Sequence, residues 1–101
     1  MARVIWTDPA LTELEAAADY IARDTPRQAN LLVRRAFRAT DQLAAFPQQG
    51  RVVPEIGDES VRELILNPYR IVYVLRGPEV EVILVHHSAR PLRTEDLPAD
   101  I

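Results

Sequence analysis

Four arginines, Arg51, Arg62, Arg70 and Arg90, lie on or beside β-branched stretches of the chain, with Tyr69, Tyr73 and the adjacent pair His86 and His87 close in sequence. A guanidinium presents a planar fork of donors that matches carboxylate or phosphate oxygens, so this set points to an anionic group as its partner. Histidine adds a group that can move protons near neutral pH. Arg70 stands between Tyr69 and Ile71 in an otherwise apolar run. A charge there is costly unless it is paired or turned to an open face. Two uses compete for it: an ion pair with Glu63, Glu81 or an acidic helix residue, or capture of an external anion. Arg62, beside Glu63 near a strand's start, reads more simply as half of a cross-strand charge pair. Only one of the two histidines can face the core, because neighbours on a strand point to opposite faces. Tyr69 and Tyr73 share a face with Ile71, which suits core packing. Arg34, Arg35 and Arg38 read as a solvated helix face.

Several chemistries are excluded outright. The chain contains no Gly-rich phosphate loop, no G-x-S-x-G elbow and no H-E-x-x-H. With no cysteine it has no disulfide framework, thiolate metal site or thiol nucleophile. Adjacent histidines make a poor zinc pair, so neither metal nor cofactor is expected. Its 101 residues suit one domain, and a 48% hydrophobic content supports a real core. All 12 basic residues are arginine, against 15 acidic ones, for a net charge of −3. Stable unaided binding to nucleic acid normally needs a basic surplus, and neither half of the chain has one. No apolar run approaches the length of a membrane span and the N-terminus does not read as a signal sequence, so a soluble cytoplasmic protein is expected.

The elements that must position these side chains follow from the period of the sequence. Arg3 to Thr7 reads as a strand, with Asp8 as N-cap and Pro9 at the first position of a helix running to about Arg23. Thr25 and Gln28 have capping-box spacing around Pro26, so a second helix begins there and runs to Phe46, where Pro47 and Gly50 end it. The short link makes the two an antiparallel hairpin. Arg51 to Val53 is a short strand. Strands over 61–66, 69–76 and 80–87, joined by tight turns, form an antiparallel meander. Residues 91–101 read as a polar tail with one helical turn near Thr94. The plan is β-α-α-β-β-β, an α+β domain with a helical hairpin on a mostly antiparallel sheet. Because Ile71 and Tyr73 alternate with Val72 and Val74, both faces of the middle strand need cover.

The order of P-x-x-G-R at Pro47 to Arg51, R-E-L at Arg62 to Leu64, Y-R-I-V-Y at Tyr69 to Tyr73 and H-x-x-R at His87 to Arg90 resembles the RelE/ParE superfamily of type II toxin–antitoxin toxins. The likeness spans about residues 3 to 93. It implies the same fold, a bacterial cytoplasmic location and tight binding to a cognate antitoxin that wraps the hairpin and sheet. The second sheet face would then be partly open in the free chain and covered in the complex.

The resemblance also implies one of two activities. RelE-like members cleave messenger RNA on the ribosome, and ParE-like members poison DNA gyrase without being enzymes. Arg70 matches the strand arginine of the nucleases, and Arg90 their arginine beyond the last strand. Those nucleases usually carry several lysines and a C-terminal tyrosine, whereas this chain has no lysine and no aromatic residue after Tyr73. Proton transfer would fall to His86, His87 or Glu63. The gyrase-directed reading therefore ranks first, with Arg70, Arg90, His87 and Arg62, in that order, as the functional surface. In the nuclease alternative Arg51, Arg70 and Arg90 would hold the phosphate, with His87 among the catalytic candidates. A third reading is a module that serves only as its antitoxin's partner and co-repressor.

Overall fold

A computed structural model describes all residues 1–101. Strand β1 (Arg3–Trp6) leads into helix α1 (Asp8–Ala22). The cap of α1 is Thr7, one residue earlier than the sequence suggests. Its hydroxyl accepts from the Ala10 N–H at 3.4 Å and donates to the Val82 carbonyl at 2.8 Å. An ionised Asp8 has no hydrogen to give that carbonyl, so the hydroxyl wins the position, and Asp8 instead faces the positive end of the helix dipole.

Helix α2 (Pro26–Asp41) continues as a 3₁₀ turn over Gln42–Ala44, short of the expected Phe46. The expected capping box does not form. Thr25 instead turns its hydroxyl back to the Ile21 carbonyl at 3.5 Å, where its own N–H also binds at 2.9 Å. A link this short leaves the end of α1 and the start of α2 competing for one side chain, and α1 takes it.

The sheet runs β1-β5-β4-β3-β2, with β2 (Arg51–Val52), β3 (Val61–Leu66), β4 (Tyr69–Arg76) and β5 (Glu79–His87) antiparallel and β1 parallel to β5. Gly77, at φ 57°, turns β4 into β5 through a conformation that other residues rarely adopt. The α+β architecture is the expected one. One irregularity matters for the site. Val72 pairs with Leu84 and Tyr73 with Val82, so Ile83 is an extra residue in β5. This bulge turns both Ile83 and Leu84 to one face. It thereby puts His86 on that same face and His87 on the other.

Two cores result. Between the hairpin and the sheet, Ala10, Leu14, Ala36 and Leu43 pack on Ile71, Tyr73, Val80 and Val82. On the opposite face Val61, Val72, Val74, Ile83 and Leu84 are covered by Val53, Leu92, Ile56 and Leu97. The expectation that this face stays open in the free chain is thus corrected: the loop after β2 and the C-terminal tail close it. Isolated leucines five residues apart in a polar tail carry no periodic signal, which is why the tail reads as merely polar. Leu92 is buried and fills the second core. Leu92→Ala should lower the free energy of unfolding in urea by about 2–3 kcal/mol. A loss below about 0.5 kcal/mol would mean that the tail is not docked.

Candidate functional site

The second sheet face holds a buried carboxylate. Glu63 on β3 has a side chain with 0% exposure. Its register partner across β2–β3 is Arg51, and across β3–β4 it faces Val72 with Arg70 on the diagonal. Cross-strand geometry thus brings two guanidiniums to one carboxylate. Arg70 Nε donates to Glu63 Oε1 at 2.6 Å and Arg51 Nε donates to Oε2 at 2.5 Å. The far end of Arg70 is occupied too. Its Nη1 and Nη2 donate to the two oxygens of Glu55 at 2.8 and 2.7 Å. All three Arg70 nitrogens therefore end on carboxylates, and the four side chains together are neutral.

The Arg70 guanidinium holds the Glu55 carboxyl down at about 2, from an ordinary 4.5, and the same bonds raise the Arg70 pKa. For a carboxyl with a lowered folded pKa, the stabilisation is complete above the unfolded value and lost as pH falls through the folded one.

The motif residues around this quartet hold the turn before β2. The Tyr73 hydroxyl donates to the Pro47 carbonyl at 2.8 Å and accepts from the Gly50 N–H at 2.9 Å. Burial pushes its pKa up. Arg62 Nη1 donates to the carbonyls of Gly50 at 3.0 Å and Gln48 at 3.4 Å, while its Nε donates to Glu59 O. A Cβ on Gly50 would lie 2.5 Å from the Glu63 carbonyl oxygen and 2.7 Å from the Tyr73 hydroxyl, so only glycine fits. Arg62 therefore bonds backbone rather than an acidic side chain as its sequence position suggested.

At the other end of the meander, His86 is buried and its Nε2 meets the Arg90 carbonyl at 2.9 Å. It is the register partner of Arg70. His87, half-buried on the hairpin side, sets its ring edge-on to Tyr69 with centroids 5.2 Å apart. Its Nδ1 accepts from the Ala89 N–H at 3.1 Å. Arg90 is exposed and makes no ion pair. It lines, with His86, Arg93, Glu95 and Asp96, a shallow depression of about 250 Å³ and mixed charge. Nearby, Glu13 accepts the Val85 N–H at 3.0 Å where β1 has ended, and burial raises its pKa.

The expected residues thus form no single patch. Arg51 and Arg70 meet through Glu63, and His86 meets Arg90 through a backbone carbonyl. Arg62 and His87 lie on the hairpin side, opposite Tyr73 and Tyr69 respectively. Glu55 was not anticipated. It follows Pro54 in a polar loop, where no spacing links it to Arg70.

A family model described as ParE toxin of type II toxin–antitoxin system, parDE, matches residues 4–92. The chain is 36% identical over 91 residues to Toxin RelE2 of Caulobacter vibrioides, covering 89% of this chain and 99% of that one. It is 38% identical over 88 residues to Putative toxin Y4kP of Sinorhizobium fredii, covering 85% of this chain and 88% of that one. In fold it matches a chain of the chromosomal ParDE TA system from P. aeruginosa at a TM-score of 0.72 and 23% identity, over 86% of this chain and 96% of that one.

Two measurements check the quartet. Glu63→Ala leaves Arg70 buried with half its pairing gone and should cost about 3–5 kcal/mol in denaturant unfolding, whereas a loss below about 1 kcal/mol would show that solvent already screens the network. In acid titration, the wild type should lose stability as pH falls from 4.5 towards about 2, and Glu55→Gln should flatten that limb. Equal slopes for the two proteins would contradict the assignment.

Proposed function

The chain belongs to the ParE toxin family of type II toxin–antitoxin systems, and from that premise we propose that it acts by holding DNA gyrase rather than by cutting messenger RNA. Membership implies a cognate antitoxin as its partner. No helix is long and apolar enough to cross a membrane. The bacterial cytoplasm, where gyrase works, is the location this reading requires.

The observation that carries the proposal is the occupancy of Arg70. A scissile phosphate seeking this guanidinium would have to displace Glu55, and would then lie beside Glu63 and the released carboxylate. Like charge at that range opposes binding. Of the groups available for proton transfer, Glu63 is ion-paired on both oxygens and His87 lies on the sheet face opposite Arg70. The Tyr73 hydroxyl is bonded at both ends beneath the Pro47–Gly50 turn, and His86 is buried against a carbonyl. A net charge of −3 further disfavours docking against ribosomal RNA.

On this reading Arg70 and Arg62 are positioning residues: Arg70 fixes the sheet face, and Arg62 the turn before β2. Arg90 and His87, at the end of β5, are the groups that touch the target. Expression in bacteria with and without the antitoxin tests this. The wild type should arrest growth with DNA breaks and SOS induction and leave messengers intact. Arg90→Ala, at an unchanged level of folded protein, should weaken toxicity by about tenfold, the scale of one interfacial arginine. Codon-positioned messenger cleavage would sink the proposal, and so would normal growth at high expression, which fits a co-repressor without toxicity.

A further inference from the structure

The outer faces of the two helices carry charges that none of the roles above uses. Helix α1 bears Asp8, Glu15 and Asp19, and α2 bears Arg27, Arg34 and Arg38, all exposed. No ion pair in the molecule includes any of the six. The spacing is the same on both helices, i, i+7 and i+11. At 3.6 residues per turn each triplet falls within an arc of about 40°. On α1 that arc lies opposite the buried Ala10 and Leu14, and on α2 opposite Ala29, Ala36 and Thr40. Both helices pack on the same face of the sheet, so both stripes lie on the side of the hairpin away from it.

Two of these charges oppose the stability of their own helices. Arg27 stands in the first turn of α2 and Asp19 near the end of α1, each the wrong sign for the helix dipole. Helix stability alone therefore does not account for the pattern. Partly apolar surface borders the stripes: Leu11 is 37% exposed and Phe37 36%. Shallow depressions lie between Arg27, Leu31 and Arg34 and between Arg34, Phe37, Arg38 and Asp41, the one acidic residue of α2, which sits beside the arginine row at its C-terminal end.

We propose that the hairpin face docks a second copy of this chain, the acidic stripe of α1 in each copy lying on the arginine stripe of α2 in the other. A partner of one sign would satisfy one helix and be repelled by the other, while a second copy satisfies both. A two-fold axis along the hairpin sets α1 of one copy antiparallel to α2 of its mate. Asp8 of the second copy then lies over Arg38 and Asp19 of the second copy over Arg27, because the two spans are equal at about 16 Å. A two-fold axis across the helices would set like charges together, so complementarity selects the first and closes the assembly as a dimer. This inference is independent of the target reading and can fail without affecting it.

Sedimentation velocity on the purified full chain tests it. Dimerisation should weaken about tenfold or more from about 0.1 M to about 1 M salt, as the Debye length falls from about 10 Å to about 3 Å. Glu15→Arg with Asp19→Arg makes the hairpin face predominantly basic, with Asp8 left in α1. Arg27→Glu with Arg34→Glu makes α2 predominantly acidic beside an acidic α1. Reversing Asp19 and Arg27 improves each dipole, so both variants should fold, as circular dichroism will check. Each alone should be monomeric, and an equimolar mixture should form a one-to-one heterodimer. A wild type that stays monomeric at low salt overturns the proposal, as does a mixture that fails to associate. So does a requirement for these arginines in capturing the antitoxin alone, which would make the antitoxin the occupant.

Discussion

A carboxylate removed from water must be neutralised by a proton or by a counter-charge, and Glu63 has a counter-charge on each oxygen. The second sheet face depends on that neutralisation. Arg51 fixes β2 against β3, Arg70 fixes β4 against β3, and Glu55 brings the loop that begins at Val53 over the face. The apolar cover of Val53, Ile56 and Leu92 can settle only where those charges are satisfied. On the reverse of the same strands, Tyr73 and Arg62 tie down the turn that delivers Arg51.

The motifs that carry the resemblance acquire a physical meaning from this arrangement. In P-x-x-G-R, the proline and glycine supply backbone groups to Tyr73, the glycine is the residue the strands leave room for, and the arginine pairs with Glu63. R-E-L and Y-R-I-V-Y provide the rest of the clasp. An arginine held in this way serves the sheet first, so its place in β4 is a weak guide to a reaction. On the proposed reading a phosphate could use Arg70 only by displacing a carboxylate, because its three nitrogens are taken.

Much of the architecture was legible because period changes are local: apolar residues at helical spacing over α1 and α2 give way to alternation from Val61 to His87. The alternation of Ile71 and Tyr73 with Val72 and Val74 correctly asked for cover on both faces, but did not show that the chain itself would supply it. The long-range facts were not legible. Thr7 caps α1 because Val82 lies beside it, 75 residues away. Glu55 reaches Arg70 because a loop folds back. The bulge at Ile83 decides which histidine is buried, and nothing in an unbroken apolar strand marks it. The sequence named Glu63 as a possible partner for Arg70, but residue types alone offer no means of choosing between that pair and an external anion. The cover supplied by Leu92 and Leu97 was hidden for the same reason, since burial of single residues in a polar tail is set by tertiary contact.

The central claim is that Arg70 is turned inward and held there, and its side-chain N–H resonances report this directly. In a ¹⁵N-resolved NMR spectrum of the free chain, the Arg70 Nε–H should be shifted downfield, protected from exchange with water, and unmoved when inorganic phosphate or a short single-stranded RNA is added. An Arg70 Nε–H that exchanges as fast as those of the exposed helix arginines, or that shifts on adding RNA, would contradict the account.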